Sequence, residues 1–587
     1  MARTVTKNQI KEAYRPEDKK ALPKTSSGGF SCSQKITFNN TEFDSNVSQL
    51  LEFNFLDGLE FIGCTFNNGL FLKQLKVHGK LKFLNCRSPK LDQMRFGLHF
   101  QDIEIESLEI KECEFVHGIY FEKPSSIKVK NVINTFSITN GAYSHGGLNI
   151  VRTEIKSGFH FKGISSCENL IIKDCQIGKI SDIENFRTNE IKIGGKDLLF
   201  KDNLNMWSVS DLNMLSITSG KFNGDIKIIN PLISEHINLQ NLEVLKTIVI
   251  DSRVEQSENY FECDLPEIYL KDCNVVDGVS INGDENECKK ITIPFSPKLK
   301  GRLNFTGINF KEVYFTGTNT DNYISFNNCG LGKLHFDNFE NLKTLSINSS
   351  NPNFQESNQA EIQITDSNLG TWVLSNFNFK TFSKIIWKDS LVSDLKTSSI
   401  KWFEEKTLHI SGESDENTCF RRREFYRQLK LASEKEGDRI SALEFKSREL
   451  KAYLNGLKVL GKKWWETDRI TLLLGQTNNH GQNWILPFIL VLIITSFIFY
   501  PLIFMAADPN ISFWCGSCDF ISLDTFGQKF WYYGSIWPSL FNPARRLNDL
   551  FPGIEVSFVL GFWDGLQRIV LAFFIFQIVS AFRKFAK

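Results

Sequence analysis

The chain has 587 residues, a formal net charge of +1 and 52 phenylalanines. Its length exceeds what one compact core needs and indicates several modules. The balanced charge excludes a strong overall electrostatic field, so we expect no nucleic-acid partner. Abundant phenylalanine favours β-structure with a Phe-lined interior over a helical bundle.

The first module is a polar segment over residues 1–29. Its first twenty residues contain no apolar run of the kind that a secretory signal peptide requires. We therefore expect the region that follows to stay on the cytoplasmic side of a membrane, where thiols remain reduced.

A short phrase then recurs through residues 30–412. It consists of an apolar residue, any residue, an apolar residue, two polar residues and a small residue that is often Cys. Most steps between copies measure about 19 to 24 residues, a period typical of solenoids. The clearest copies cover residues 59–64, 81–86, 108–113, 170–175, 268–273, 324–329 and 362–367.

The alternation of apolar and polar residues within each copy is brief, which indicates very short strands that stack from coil to coil. We predict a mainly β fold, a right-handed parallel β-helix with about 17 coils and a length on the order of 80 Å. Eleven of the thirteen cysteines precede residue 420. Their recurrence once per coil predicts a buried ladder of thiols instead of metal sites.

Three aspartates, Asp174, Asp272 and Asp366, stand directly before the small residue of their copies. Some β-helices are carbohydrate-active enzymes that use surface carboxylates, but fold analogy cannot carry function, and this position predicts a ladder of turns. The nine histidines are scattered, and no nucleotide-binding or metalloprotease motif occurs. We expect a non-enzymatic protein with no catalytic residue, no metal and no cofactor.

A helical period replaces the β pattern over residues 413–460. Gly437 and Asp438 divide this region as a C-cap and an N-cap. The division predicts a helical hairpin, which would cover the open end of the solenoid. A juxtamembrane linker over residues 461–483 follows.

The first helix of the hairpin carries a basic run, Arg421, Arg422 and Arg423. One interpretation is contact with anionic lipid head groups or with a partner. The other, which short charge runs favour, is a solvated helix face.

The transmembrane domain covers residues 484–587. Residues 484–507 contain no charge and are long enough to span the apolar core of a bilayer. A second span is predicted over about 564–583. Its continuous apolar part is short, so a helix that spans the bilayer has to begin near Ser557 or Asp564.

Asp564 and Arg568 are four residues apart, so they share one face of the second span. In the favoured interpretation Asp564 caps the helix at the far interface and Arg568 extends outward to water. In the alternative they form an ion pair within the membrane, which would mark a functional site.

Basic residues flank both outer ends of this domain, at 458–469 and 583–587, which predicts cytoplasmic termini. The connecting segment then faces outside. Its Cys515 and Cys518 form a structural disulfide, plain thiols or a redox pair. The aromatic-rich stretch 526–550 is either an interfacial helix or a re-entrant one between the spans.

A five-residue spacing is nested within the solenoid, as in Phe61, Phe66 and Phe71 or in Phe305, Phe310 and Phe315. This spacing resembles the pentapeptide-repeat family, whose coils have four five-residue faces. The family's usual alanine at the second inward position is mostly absent, so a square cross-section is expected only in patches.

Three C-terminal stretches carry a second resemblance: FYRQLK at 425–430 with EGD at 436–438, GQNW at 481–484 and AFRKF at 581–585. They resemble bacterial pentapeptide-repeat-like membrane proteins whose C-terminal part is similar to a two-helix potassium-channel pore. The resemblance implies a helix, a re-entrant segment and a helix, with several copies around a pore. Residues 534–538 lack the filter sequence whose carbonyls replace the water shell of K⁺, so potassium selectivity is not implied.

Together these patterns predict a protein of the bacterial inner membrane with both termini in the cytoplasm. The solenoid would be a recognition or scaffold domain, joined to a two-span, channel-like and homo-oligomeric membrane domain. The expected partners are the lipid bilayer, other copies of the chain and a protein that the solenoid binds. Alternatives are a membrane-disrupting effector of a stress or antiphage defence pathway, a scaffold that the spans only attach to the membrane and, least favoured, a carbohydrate-active enzyme.

Overall fold

The structure is a computed structural model of the chain, which forms two compact units, Met1–His409 and Ile410–Lys587. The first unit is made mainly of strands and the second of helices. The residues that the structure describes are 3–4, 30–32, 35–43, 49–51, 53–67, 69–88, 97–122, 131–143, 145–253, 264–350, 360–392, 394–410, 415–507, 534 and 536–582.

The first unit is a parallel β-solenoid of about 14 turns, and the predicted fold class is confirmed. Equivalent residues of successive coils pair in register, as Leu59, Leu81 and Leu108 do. This parallel stacking satisfies the backbone hydrogen-bonding groups of each coil with those of its neighbours.

The repeated phrase occupies two different faces of the coil, so the prediction of about 17 coils was too high. On one face Leu108 is followed one coil later by Phe136. On another face Ile119 is followed by Leu148, and Leu148 by Leu170. Counting both faces as one series adds coils that do not exist.

Each coil contains longer and shorter strands in alternation. The coil that begins with Gly58–Ile62 continues through Thr65–Phe66 and Leu70–Lys73, and Lys76–Leu84 closes it and starts the next. The five-residue spacing follows the interior only in places. Phe305, Phe310 and Phe315 are all buried.

In the set Phe61, Phe66 and Phe71, the third phenylalanine does not lie in the interior. Phe61 and Phe66 are buried, but Phe71 points outward between the buried Leu70 and Leu72. In that strand the two-residue alternation of side chains replaces the five-residue spacing.

Stacked phenylalanines fill the N-terminal part of the solenoid interior. The rings of Phe38, Phe61 and Phe83 stack with centroid distances of 5.4 and 5.0 Å, and Phe43 stacks on Phe66 at 5.1 Å. Burial of large aromatic surfaces in register explains why these short strands stack in one register.

The strands of the solenoid share this parallel pairing. Their bounds in the first half are Arg3–Thr4, Phe30–Cys32, Ile36–Asn39, Thr41–Phe43, Gln49–Leu51, Phe53–Phe55, Gly58–Ile62, Thr65–Phe66, Leu70–Lys73, Lys76–Leu84, Arg87–Ser88, Leu98–Gln101, Glu104–Lys111, Glu114–Phe115, Ile119–Phe121, Asn131–Thr139, Ala142–Tyr143, Leu148–Val151, Thr153–Ile155, Phe159–Lys173, Gln176–Ile177 and Ser181–Phe200. Those in the second half are Leu204–Trp207, Leu212–Phe222, Ile226–Ile229, Ile233–Gln240, Glu243–Val244, Thr247–Asp251, Leu265–Lys271, Asn274–Val275, Gly278–Asn282, Glu287–Phe295, Leu303–Thr306, Asn309–Asn319, Ile324–Asn327, Gly330–Asn341, Thr344–Asn348, Glu361–Thr365, Thr371–Ser375, Lys384–Lys388, Asp394–Ser398 and Leu408–Ile410.

The second unit begins with a helical hairpin formed by α1 (Asp415–Lys435) and α2 (Arg439–Val459). Gly437 joins them at φ 78°, a left-handed conformation that suits a helix C-terminus. The Asp438 side chain accepts a hydrogen bond from the Ser441 backbone N–H at 3.1 Å and caps α2.

In the part of the unit that the structure describes, three further helices and a short helical turn follow the hairpin. These are α3 (Thr467–Gln476), α4 (Ile485–Ala507), the turn α5 (Leu547–Leu550) and α6 (Phe558–Phe582). Helices α4 and α6 are long and apolar enough to cross a membrane. Both leave large apolar side chains on their outer surfaces, such as Phe497 at 77% and Phe576 at 63% exposure.

Candidate functional site: a buried charge cluster beside a re-entrant turn

Helices α4 and α6 lie side by side, with their basic-flanked ends at the same level. The Trp484 ring, directly before α4, stacks on Phe582 at the end of α6 with centroids 5.3 Å apart. Val491 of α4 packs in one apolar cluster with Leu571 and Phe574 of α6. The two candidate spans therefore run antiparallel.

A short 3₁₀ turn, Trp537–Phe541, is packed between the two spans. The Trp537 indole Nε1–H donates a hydrogen bond to Ser496 Oγ at 3.0 Å. Ser496 lies eleven residues beyond the start of α4, about 17 Å along a helix of about 34 Å. Phe541 packs against the cluster that contains Val491, so the turn reaches the middle of the span.

The chain then returns toward the opposite end of the spans. Leu550 and Phe551 share an apolar cluster with Ala507, the last residue of α4, and with Leu560, near the start of α6. Residues 536–551 thus run from the middle of the helix pair back to the end at which α4 stops, and we call them the re-entrant turn. A re-entrant position in a membrane, one of the two sequence interpretations of residues 526–550, stays a prediction. Residues 526–533 lie outside the described residues.

Helix α4 is adapted to receive this turn. Its residues Thr495–Phe499 form a π-helical turn, and Ser496 within that turn accepts the hydrogen bond from Trp537. Pro501 follows two residues later and lacks the N–H that would continue the α-helical ladder. Single π-helical turns of this kind often occur at functional positions.

A re-entrant turn leaves backbone carbonyls that no helix satisfies, and in a membrane such groups need protein partners. Here two side chains meet the carbonyl of Leu540. Arg545 Nη1 donates to Leu540 O at 2.7 Å, and Gln567 Nε2 donates to the same oxygen at 3.0 Å.

The same arginine is held by an aspartate of α6. Arg545 Nη2 donates to Asp564 Oδ1 at 2.5 Å and to Gln567 Oε1 at 2.7 Å. The side chains of Arg545 and Asp564 are only 4% and 5% exposed. Arg568 Nη2 approaches the other carboxylate oxygen at 2.7 Å and is 32% exposed.

This charge cluster, defined as Arg545, Asp564, Gln567 and Arg568, holds the return path of the re-entrant turn against α6. Burying a single charge is costly, but a paired and hydrogen-bonded one can be retained. Arginine suits the role because its planar fork donates in several directions at once. The cluster positions the re-entrant turn, and it places one buried carboxylate between two guanidinium groups.

The favoured sequence interpretation of Asp564 as a helix cap was wrong. Helix α6 begins at Phe558, six residues earlier, so Asp564 lies within the helix and pairs with Arg568 and Arg545. Local sequence patterns did not single out Arg545 or Gln567 as partners of Asp564. A useful signal was present, because a buried aspartate requires a cation and Arg545 lies in the segment between the spans.

The basic run of α1 does not form one patch. Successive helix residues point about 100° apart, and Arg421, Arg422 and Arg423 are each partly buried. The Arg423 guanidinium lies over the Tyr453 ring at 4.0 Å. Cys515 and Cys518 lie outside the described residues.

The solenoid cysteines have a structural position. Cys86 follows Asn85, which adopts φ 52° at a coil corner, and the Cys86 Sγ–H donates to the Leu84 carbonyl at 3.4 Å. Ser367 makes the equivalent bond to Thr365 O at 2.6 Å, which explains why Ser and Cys alternate there.

The predicted ladder of thiols is divided between two faces of the solenoid. Cys64, Cys86 and Cys113 are buried in successive coils of one face, and the Cys86 N–H donates to Cys113 Sγ at 3.4 Å. Cys175 lies at the end of the other long-strand face. Among the described residues, no three His, Cys, Asp or Glu side chains converge as metal ligands would.

The recurring aspartates occupy corners and bond to adjacent coils. Asp174, Asp272 and Asp366 have φ of 55°, 53° and 48°. Asp272 accepts a hydrogen bond from Ser296 Oγ at 2.6 Å, and Asp366 lies 3.8 Å from Lys388 Nζ. Each side chain is therefore placed to stabilise a turn.

Comparisons of the chain with protein-family models, with curated proteins and with solved structures found no match. The resemblances to pentapeptide-repeat and potassium-channel-like proteins therefore stay predictions. What is shown is a parallel β-solenoid joined to a helical unit in which two helices are apolar enough to span a membrane.

Proposed function

We propose that this chain is a non-enzymatic membrane protein whose solenoid is a recognition or scaffold domain. In this proposal the helical unit assembles with other copies into a channel-like structure. The observation that carries the proposal is the re-entrant turn held between α4 and α6 by the charge cluster.

A simple attachment to the membrane explains this feature poorly. Two apolar helices suffice as an anchor, whereas irregular backbone at membrane depth is tolerated only where protein or a water-filled cavity covers it. Trp537, Leu540 and Arg545 all form hydrogen bonds within the helical unit. These bonds fix the turn, and they require that charged side chains be buried. Such features mark ion and substrate pathways in membrane proteins.

The described residues of a single copy offer two candidate spans and one re-entrant turn, which are too few to enclose a pore. The exposed apolar surfaces of α4 and α6 are available to lipid and to neighbouring copies. We therefore include homo-oligomerisation in the proposal. Ion selectivity is left open, because the filter sequence of potassium channels is absent.

The orientation we propose has both termini in the cytoplasm of a bacterial cell. The stacking of Trp484 on Phe582 supports it, because it brings the start of α4 and the end of α6 to the same side. The sequence carries basic residues before the first and after the second. Positive residues favour the cytoplasmic side of a membrane.

The proposal is tested by reconstituting the full chain in liposomes and recording ion flux, with the oligomeric state measured in detergent. We expect flux from an oligomer and a marked loss of flux in the Arg545→Met variant. The matched control is Arg546→Met, because the neighbouring Arg546 is exposed. A monomer without flux would contradict the channel-like function and leave a membrane-attached scaffold.

A further inference from the structure

An exposed aromatic and basic element precedes the first candidate span. The loop between α2 and α3 presents Trp464 at 66% and Trp465 at 56% exposure. Lys463 Nζ lies over the Trp465 ring at 5.3 Å. Two adjacent, exposed tryptophans on a soluble surface are unusual, because large aromatic residues are normally buried.

Helix α3 continues this surface. Leu472 packs on Leu454 and Leu457 of α2, which fixes one side of α3 to the hairpin. Its other side exposes Ile470, Leu473 and Leu474 at 37%, 37% and 44%, at the spacing of one helix face.

The element is folded into a defined shape. The Lys462 ammonium lies 3.5 Å from Glu466, Arg469 donates a hydrogen bond to the Lys462 carbonyl, and the Tyr453 hydroxyl donates to Asp468 at 3.4 Å. These bonds fix the loop that carries the tryptophans to the first turn of α3.

The element is also fixed at the end of the spans. Directly after α3, Asn478 Nδ2 donates to the Gln577 carbonyl of α6 at 3.2 Å. Asn479 accepts a hydrogen bond from Ser447 Oγ of α2 at 3.0 Å. Helix α3 therefore lies where the spans reach their basic-flanked ends, which is the level of a bilayer surface.

The charge around the element is positive. Residues 446–469 contain seven Lys or Arg and three Asp or Glu. Burial, together with the charges of Lys451 and Lys446, lowers the pKa of His480, just before α4. The leaflet on the cytoplasmic side of membranes carries anionic lipids, which attract basic residues next to a span.

We infer that Trp464, Trp465 and the outer face of α3 dock into the interface of an anionic lipid leaflet. The indole rings and Ile470, Leu473 and Leu474 enter the boundary between head groups and acyl chains, as amphipathic interfacial helices do. Lys462, Lys463 and Arg469 contact the phosphate and carboxylate groups above them. This inference rests on the proposed membrane attachment and names the lipid class that the juxtamembrane element recognises.

The test uses the full chain in liposomes of phosphatidylcholine with phosphatidylserine. The tryptophan fluorescence of the wild type minus that of the Trp464→Phe/Trp465→Phe variant is the fluorescence of these two indoles. Phenylalanine keeps an aromatic side chain at both positions. Lipids brominated near the head-group end of the acyl chain should remove most of this difference emission. Lipids brominated near the methyl end should remove little of it.

A charge variant tests the lipid class. In Lys462→Gln/Lys463→Gln the quenching by shallow bromines should fall, as it should for the wild type in phosphatidylcholine alone. The matched control is Lys401→Gln/Lys406→Gln, which removes two exposed lysines of the solenoid and should change nothing. Equal quenching with and without phosphatidylserine would overturn the preference for anionic lipid.

Alkaline extraction separates this inference from the proposed function. If the chain stays with the liposomes in carbonate but the two indoles are quenched by neither lipid, the docking inference is wrong and membrane attachment stands. If the chain is extracted, membrane attachment itself is wrong.

Discussion

At the scale of single residues, the charge cluster shows how one arginine can donate hydrogen bonds to a backbone carbonyl and to a carboxylate at the same time. Arg545 bonds to Leu540 O, Asp564 and Gln567 at 2.5 to 2.7 Å. Removing one partner of a buried pair leaves a desolvated charge and is more damaging than replacing both. The cluster should therefore be sensitive to single substitutions and less so to paired ones.

We expect Arg545→Met to destabilise the helical unit by up to about 3 kcal/mol. The loss is limited because Asp564 keeps Arg568 as a partner, whereas Leu540 O loses its charged donor. The measurement is thermal unfolding of the full chain in detergent. Arg546→Met, a change of the adjacent exposed arginine, should have almost no effect.

A double variant separates the pair from general damage. Arg545→Met with Asp564→Asn should be less destabilised than the sum of the two single variants, because the interaction between Arg545 and Asp564 is lost only once in the double variant but is counted in both single variants. Strict additivity would show that the two side chains do not depend on each other.

At the scale of elements, the solenoid depends on corners in which a polar residue adopts a left-handed conformation before a small residue. Asn328 has φ 52°, and Cys329 Sγ–H donates to the Asn327 carbonyl at 3.4 Å. Asparagine and glycine tolerate this backbone, whereas a branched side chain clashes with it. The corner explains why Asn, Asp and Ser precede the small residue so often.

Asn328→Val should destabilise the solenoid by about 1 to 2 kcal/mol, and Asn328→Gly should cost much less. The control is Asn327→Val one residue earlier, in strand Ile324–Asn327, where a branched side chain is favoured. Urea unfolding of the full chain gives the comparison. Equal losses at positions 327 and 328 would contradict a special role for the corner.

At the scale of the whole molecule, the chain joins a β-solenoid of about 14 turns to a helical unit with two candidate spans. The solenoid interior holds most of the described cysteines, and all of those are buried. Cys419, in the helical unit, is only partly buried. The reactivity of the buried thiols therefore measures unfolding of the solenoid, and the reactivity of Cys419 measures the exposure of the helical unit.

Burial raises the pKa of the Cys175, Cys273 and Cys288 thiols to about 12. At pH 8 only about one thiol in ten thousand is then ionised, and only the thiolate reacts with alkylating reagents. We expect native labelling to modify Cys419 before these three thiols, which should stay unmodified until the solenoid unfolds. Mass spectrometry after a labelling time course measures the order.

The same shift has a consequence for stability at high pH. A thiol whose pKa is raised in the folded state stays protonated there, while the unfolded chain ionises near the ordinary value of 9.0. Stability should therefore fall as the pH rises above about 9. Rapid modification of Cys175 in the native protein near pH 8 would contradict its burial.

The sequence by itself determined the β-solenoid, the helical hairpin and the two apolar helices, because each follows from a local period: a coil repeat, a helical repeat and an uncharged run. It also indicated Asp564 and Arg568 as a pair on one helix face. Only the tertiary structure decided that Asp564 lies inside α6 and meets Arg545, nineteen positions away in the chain. It likewise decided that the repeated phrase occurs on two faces, and that Phe71 points outward. These outcomes depend on which segments pack against each other, and local periodicity does not specify contacts between segments that are distant in the chain.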